Sequence, residues 1–392
     1  MKVKKVRYII FLKDVLILAI SAFGGPQAHI AMMLDRMVEK RGYIDEKGLL
    51  ELHALCQFLP GPTSTQTLTA IGFKVGGPNL AYLTLLIWIL PAFLVMSTAG
   101  VMVSLLKEQD ISLEFTRFIQ PMAVGIVAYS AYRIIKKVVK TRIALIIMLL
   151  SSIASFFFKT PYVFPIIILI AGCITAIDYK RHEREEKNKI DIQWSNFFLW
   201  AGVLVFAALL GTVTEWKGIR LFENFYRIGS LIFGGGQVLI PFMYTEFVEF
   251  KEYLSSEEFL SGLGLVQAVP GPVFSITAFV GSISMKDYGI TGQYLGSFLS
   301  AVGVFLPGAF LIFFVIRFWD ELKKFRIVKA SLDGVNAGSA GMVLTAAVLL
   351  AIPSGSNYLD YFIMISTFGL LMWGKVPTPF IILGGLALGF IL

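Results

Sequence analysis

Two apolar stretches of this chain, 210 residues apart, are cut by the same tripeptide: Pro60-Gly61-Pro62 within FLPGPTSTQT and Pro270-Gly271-Pro272 within AVPGPVFSIT. Two prolines around a glycine end any helix that carries them, because proline lacks an amide hydrogen and its ring collides with the preceding turn. The setting makes the cut expensive. Of 392 residues 56% are hydrophobic and 15% charged, where soluble domains run near a quarter charged. Apolar runs at 79–105, 118–135, 143–158, 163–177, 197–213, 292–316 and 335–352, with two shorter ones after Asp360, suit bilayer spans of about 20 residues. The net charge of +8 comes from Lys and Arg gathered in short loops between these runs, which is the positive-inside pattern and not a nucleic-acid surface. Cys56 and Cys173 are isolated and His29, His53 and His182 have no ligand spacing, so neither a metal nor another cofactor is expected. The basic, then apolar, N-terminus has the form of a secretion leader; because a related stretch recurs internally at 219–233, it is read as part of the fold.

The chain repeats itself. Phe23-Gly24-Gly25-Pro26-Gln27 matches Phe233-Gly234-Gly235-Gly236-Gln237 at an offset of 210, and at that offset Glu39 falls on Glu249, Tyr43 on Tyr253, Gln57 on Gln267 and Thr67 on Thr277. Further on the offset is 216, where Leu90-Pro91 meets Leu306-Pro307 and Gly125 meets Gly341, so one six-residue insertion separates the blocks. The expected domains are an N-terminal repeat at 1–180, a charged linker with one extra transmembrane helix at 181–216, and a C-terminal repeat at 217–392.

Loop charges orient the halves. Arg36, Lys40, Arg41 and Lys47 follow the first Phe-Gly-Gly break, whereas its counterpart loop holds Lys251 among Glu246, Glu249, Glu252, Glu257 and Glu258. The next loop reverses the bias, with Lys107 and Arg117 against Arg317, Lys323, Lys324, Arg326 and Lys329. Only Lys and Arg set orientation, so corresponding loops lie on opposite faces and the repeats are inverted. With the basic N-terminus cytoplasmic, the segment broken at Gly24-Gly25-Pro26 enters and leaves by one face, and so does the segment broken at Pro60-Gly61-Pro62. The expected fold is an all-α polytopic membrane protein of two inverted-topology repeats, each with two re-entrant or broken helix hairpins plus about four spanning helices; ordinary kinked spans are the plainer alternative.

Irregular backbone survives at membrane depth only where it is buried in protein or lines a polar cavity. Thr63, Ser64 and Thr65, just past Pro62, suit the start of a new half-helix, whose free N–H groups and positive dipole end attract an anion. Inverted-repeat transporters place such ends at the midplane. Ser275 takes the corresponding part beyond Pro272, with Phe274 replacing Ser64. The Phe-Gly-Gly breaks add Gly24, Gly25, Gln27, Gly235, Gly236 and Gln237, with Pro26 a natural first-turn residue and the two glutamine amides able to donate to an oxyanion or to satisfy the broken backbone. Gly61 and Gly271 supply the tight turns, and Pro60, Pro62, Pro270 and Pro272 the breaks. Gln57, Gln267 and His53 read as packing. Glu39, Arg41, Glu249 and Lys251 read as solvated helix ends, Lys13 and Asp14 as the membrane edge of the first arm, and Lys74 as a snorkelling side chain or an anion guide. The small residues after Asp333 (334–338) suit close helix packing.

At these residues the chain resembles the chromate ion transporter family, whose bidomain members carry two copies of the Phe-Gly-Gly and Pro-Gly-Pro unit found here at 23–62 and 233–272. The likeness covers nearly the whole chain, including Arg41-Gly-Tyr-Ile-Asp-Glu46 and Lys251-Glu-Tyr-Leu-Ser-Ser-Glu257; Lys251 and Tyr253 stand where the family often has Arg and Trp. It implies a carrier that exports chromate from the bacterial cytoplasm and confers resistance, with sulfate as the look-alike. Residue chemistry by itself specifies only an anion. A dianion leaving a cell across 100 mV gains about 5 kcal/mol, enough for a gradient of roughly three to four decades. No Walker-type loop is present, so ATP is not required. An uptake carrier or channel for sulfate or another anion on the same fold is the alternative; a membrane enzyme or scaffold would need a nucleophile–base or metal cluster that the hairpins lack. The expected partners are the oxyanion and the lipid bilayer, with a homodimer left open.

Overall fold

The computed structural model describes residues 8–23, 25–109, 116–179, 192–233, 235–322, 324–355, 357–374 and 376–391, with the backbone alone for Pro26, Gln27, Asp320, Phe390 and Ile391. Among the described residues every regular element is helical. Helices α1 (Tyr8–Ser21) and α2 (Gly25–Met33) flank the first break, and α2 runs into a π-helical turn, Leu34–Lys40. There follow α3 (Glu46–Phe58), α4 (Thr63–Glu108), α5 (Ile119–Val138), α6 (Arg142–Phe157) and α7 (Val163–Ile177). Helix α8 (Ser195–Thr214) lies between the halves. The second half holds α9 (Lys217–Leu231), a 3-10 turn Gly236–Val238, α10 (Leu239–Met243), a second π-helical turn Tyr244–Phe250, and α11 (Ser256–Ala268). It continues through a 3-10 turn Val273–Ser275, α12 (Ile276–Ser284), α13 (Gly289–Val315), α14 (Trp319–Leu322), α15 (Arg326–Ser354), α16 (Tyr358–Trp373) and α17 (Thr378–Ile391). The bounds recur in register: the π-helical turns and the pair α3 and α11 stand 210 residues apart, and α6 and α16 stand 216 apart.

Helix α4 is not a 46-residue rod. At Gly77 the backbone leaves the helical region (φ 77°, ψ −168°), and Pro78, which has no amide hydrogen, opens a second limb. The limbs fold together, so that Gly72 lies against Ala81 and Thr84, and the Trp88 indole donates to Thr65 Oγ1 at 3.0 Å. In the second half, Ser297 Oγ donates likewise to the Ala278 carbonyl across α12 and α13, at 2.8 Å. Length and apolarity sufficient to cross a bilayer belong to Thr63–Glu108, Ser195–Thr214, Lys286–Val315 and Arg326–Ser354. Helices α6, α7, α16 and α17, at 16, 15, 16 and 14 residues, fall short of the roughly 20 of an upright span.

The chain divides into two compact units that do not coincide with the two halves. The first comprises Met1–Ile111, Gln193–Gly236 and Leu265–Arg317; the second comprises Ser112–Ile192, Gln237–Gly264 and Phe318–Leu392. Within the first, α13 packs along α9, α4, α8 and α12, and α1 packs on α4. Within the second, α15 packs against α5, α6 and α7. The small residues of α15 explain that approach: Gly334 N–H donates to Thr175 Oγ1 at 3.0 Å, and a Cβ at Gly334 would collide with the Ala171 carbonyl.

Asp14 departs from its reading as a membrane-edge residue. It is fully buried. It accepts from Arg36 Nη2 at 2.7 Å, Arg41 Nε at 2.8 Å and the Tyr43 hydroxyl at 2.7 Å, locking α1 to the π-helical turn and the loop after it. Arg41 is exposed, as read for a solvated helix end, and is in addition a ligand of Asp14. Burial, with the Asp14 carboxylate beside it, pushes the Tyr43 phenol up to about 12, so it stays a donor. In the second half the positions of Asp14 and Arg36 hold Asn224 and Glu246, and Glu246 pairs with Lys251 at 3.2 Å.

Two stability predictions follow from these contacts. Asp14→Asn removes the negative charge and one of the two acceptor oxygens shared by two partly exposed guanidinium groups and Tyr43, and is expected to cost about 2–4 kcal/mol, measured by thermal unfolding in detergent. Gly334→Val forces α15 away from α7 and is expected to cost about 1–3 kcal/mol in the same assay, with Gly202→Val, where a Cβ meets nothing within 4 Å, as the neutral control.

Candidate anion site at the helix breaks

The chain reverses at both breaks of the first half. Across Phe23–Gly25, Arg36 returns to Asp14 and His29 returns to the Ala22 carbonyl, 3.3 Å from Nε2. Across Pro60-Gly61-Pro62, His53 Nδ1 lies 3.4 Å from Thr67 Oγ1. The Gln57 amide Nε2 lies 2.9 Å from His53 Nε2 one turn away on the same arm, so His53 links the arms, while Gln57 is exposed, against its reading as packing. Neither Pro-Gly-Pro stretch runs through as a helix: α3 ends at Phe58 and α4 starts at Thr63, while α11 ends at Ala268 and helical structure resumes at Val273.

The breaks of the two halves are joined to each other. Gly61 N–H donates to the Ile232 carbonyl at 2.7 Å, and Gly271 N–H donates to the Ala22 carbonyl at 2.8 Å. Donors and acceptors are each 210 residues apart, so this is one interaction made twice with the halves exchanged. Gly61 (φ 119°) and Gly271 (φ 120°) adopt backbone that only glycine takes without strain. Space agrees: a Cβ at Gly61 would sit 2.7 Å from Gln66 Nε2, and one at Gly271 would sit 3.0 Å from Ala92 Cβ.

At the tip of α4, Pro62 is the N-cap and makes no side-chain cap. The first intrahelical bond is Gln66 N–H to the Pro62 carbonyl at 2.9 Å, so the amides of Thr63, Ser64 and Thr65 precede the ladder and point off the helix end. Thr65 Oγ1 accepts from Trp88, leaving its own proton to give. Ser64 is 4% exposed and its Oγ lies 3.0 Å from His29 Nδ1. Gln66 Nε2 donates to the Pro60 carbonyl at 2.6 Å, which satisfies a carbonyl freed by the break; its Oε1 is buried and unpartnered among the described residues. In the second half the tip is tighter. Pro272 is again an uncapped N-cap, followed by the 3-10 turn Val273–Ser275. The first bond runs from Ser275 N–H to the Pro272 carbonyl at 2.9 Å. Ser275 Oγ is buried without a partner among the described residues, and Phe274, at the Ser64 position, is buried too.

The Phe-Gly-Gly breaks give a less even picture. Gly25 (φ 78°) opens α2 with Pro26 in its first turn. Gly235 (φ 108°) precedes the 3-10 turn, and Gly236 faces Phe274 and Val273. Gly24, the Gln27 side chain and the glycine at 234 lie outside the described residues. Gln237 belongs to the second compact unit, where its Oε1 is buried and unpartnered among the described residues. Sequence reasoning passed over His29, Trp88, Gln66 and the Ala22 and Ile232 carbonyls. His29 had one readable signal: it sits one turn beyond Pro26, on the arm that folds back toward Ser64.

The residues at the tips (Thr63, Ser64, Thr65, Gln66, Val273, Phe274 and Ser275) carry no formal charge. Such an end offers an anion aligned amides and hydroxyls without an ion pair. The chain matches the family described as "Chromate transporter" over residues 10–176 and 219–390, one segment in each half. It is 26% identical to "Uncharacterized transporter MJ0718" of Methanocaldococcus jannaschii over 96% of this chain and 92% of that protein. It is 26% identical to "Probable chromate transport protein" of Synechococcus elongatus, over 92% and 89% of the two chains. To "Chromate transport protein" of Pseudomonas aeruginosa it is also 26% identical, over 84% and 78%. No solved structure matches it. With both matched segments spanning the paired breaks, this chain belongs to the chromate transporter family.

Proposed function

We propose that this protein is a secondary transporter of tetrahedral oxyanions, chromate foremost, driving efflux across the cytoplasmic membrane, with the anion held at the half-helix tips near the midplane. The observation that carries this reading is the reciprocal pair of hydrogen bonds between the Pro-Gly-Pro glycines and the carbonyls before Phe-Gly-Gly, which ties the break of each half to the other and supports a shared site at the uncapped tips. Two relatives named for chromate transport, similar over most of their lengths, support the choice of ion. Neutral donors suit a carrier: they bind a dianion in competition with water yet let it leave, whereas a buried Arg or Lys would hold it through a charge-assisted bond. Loop charge supports opposite orientation of the two halves, and an inverted pair can expose one shared site to either face by rocking about it.

Three measurements test this. In proteoliposomes of known orientation, labelled chromate flux is expected to saturate, to be inhibited by sulfate, and to run from the cytoplasmic face when the interior potential is negative; a flux in the opposite direction only would favour uptake. Gly61→Ala and Gly271→Ala each force an L side chain into a conformation costing about 1–3 kcal/mol, and each is expected to lower flux by about tenfold or more while the protein is still made and inserted. Wild-type flux in the double variant would sink the site. For topology, single cysteines replacing the exposed Lys47 and Glu257 in a cysteine-free background are expected to react with a membrane-impermeant maleimide from opposite faces.

A further inference from the structure

We propose that His29 is a proton-operated positioning residue that decides whether Ser64 can donate to the bound oxyanion, so that one proton binds together with the anion. This rests on the oxyanion reading of the tips given above.

His29 is 2% exposed and wedged between the two breaks. Its Nε2 lies 3.3 Å from the Ala22 carbonyl, its Nδ1 lies 3.0 Å from Ser64 Oγ, and the Trp88 ring stands edge-on at 5.4 Å. A carbonyl can only accept, so Nε2 carries a hydrogen. In the neutral ring Nδ1 is then a bare lone pair, and it accepts the Ser64 hydroxyl proton. Ser64 is thereby turned the wrong way for an anion: its proton is spent on the imidazole, and only lone pairs face anything else. A proton added at Nδ1 reverses the bond. The new N–H donates to Ser64 Oγ, and the serine proton swings free to serve an anion at the α4 tip. The step is a single proton uptake from water with no covalent bond between heavy atoms made or broken, and the imidazolium adds a positive charge beside the tip.

The surroundings leave His29 as the group that titrates in answer to the anion. The elements packed on α2 are α4 and the π-helical turn. On the turn, Asp35 is paired with Lys40 at 2.8 Å and Arg36 with Asp14 at 2.7 Å. The other charged groups there are Glu39 on the turn and Lys74, Lys107 and Glu108 on α4; the ring's own partners are Ser64, Ala22 and Trp88. The switch also reads both halves at once, because the Ala22 carbonyl that holds His29 is the one that accepts from Gly271. The second half has no equivalent: the positions of His29 and Ser64 are Leu239 and Phe274. One proton per chain is therefore expected.

The test is sulfate binding to the full-length protein in detergent, since sulfate stays a dianion across about pH 5 to 8, the span in which histidines ordinarily titrate. Linked uptake of one proton makes the dissociation constant fall about tenfold for each unit the pH is lowered, and binding in weak buffer takes up close to one proton as read by a pH dye. His29→Gln, whose amide cannot be protonated, and Ser64→Ala are both expected to abolish the pH slope. A wild-type protein that binds sulfate with no slope and no proton uptake overturns the switch, as does a His29→Gln protein that keeps the slope. Should a variant fail to fold, the wild-type proton count still decides. Absence of binding to sulfate and chromate at every pH would instead overturn the oxyanion reading, and the switch with it.

Discussion

Two backbone hydrogen bonds tie the repeats together within the first compact unit: Gly61 to the Ile232 carbonyl and Gly271 to the Ala22 carbonyl. A chain that breaks its helices at membrane depth leaves amides and carbonyls with no water to turn to, and each stranded group is costly. Here the donor always comes from one half and the acceptor from the other. Gln66 answers the Pro60 carbonyl within the first half, but the Gly61 and Gly271 amides find their acceptors only when the halves meet. That meeting fixes where the tips of α4 and of the 3-10 turn before α12 can point. The rest of the site inherits its placement from those two bonds.

Within that frame the two halves use one backbone and different side chains. The first half surrounds its tip with hydroxyls whose protons are directed by neighbours, Thr65 by Trp88 and Ser64 by His29. The second presents Phe274 and a bare Ser275. An anion seated between them would meet its directional donors on one side and a packed aromatic wall on the other. Orientation of the guest, and not only its charge, would then be set by the first half. The two arginines of the first hairpin, Arg36 and Arg41, meanwhile both already have the Asp14 carboxylate.

Much of this was legible in the chain because the decisive signals are local. Proline and glycine act on their own backbone, so the breaks could be placed to the residue, and the offset of 210 then 216 places the helices of one half on those of the other. The tips followed, since a helix start needs only the residues beside it. What escaped was non-local. Asp14 and Arg36 are 22 positions apart and meet only because the chain reverses between them, so a buried carboxylate looked like a residue at the membrane edge. His29 is one histidine among apolar neighbours until Ser64 is brought beside it. The division into units that each draw on both halves depends on packing that no short window contains, whereas the turn of α4 at Gly77-Pro78 falls just before the apolar run read at 79–105.

The Asp14 cluster has a consequence for how such a carrier waits. In the inverted-repeat carrier proposed above, two halves of identical chemistry would leave the empty molecule evenly divided between facing in and facing out. Here the first half has a carboxylate gripped by two arginines and a tyrosine, whereas the second has Asn224 and Glu246 at the positions of Asp14 and Arg36, with Glu246 paired to Lys251. If the fastenings differ by about 1.4 kcal/mol in the two states, idle molecules stand about ten to one on a single side. Such a bias cannot drive net flow; it sets which compartment the vacant site samples first.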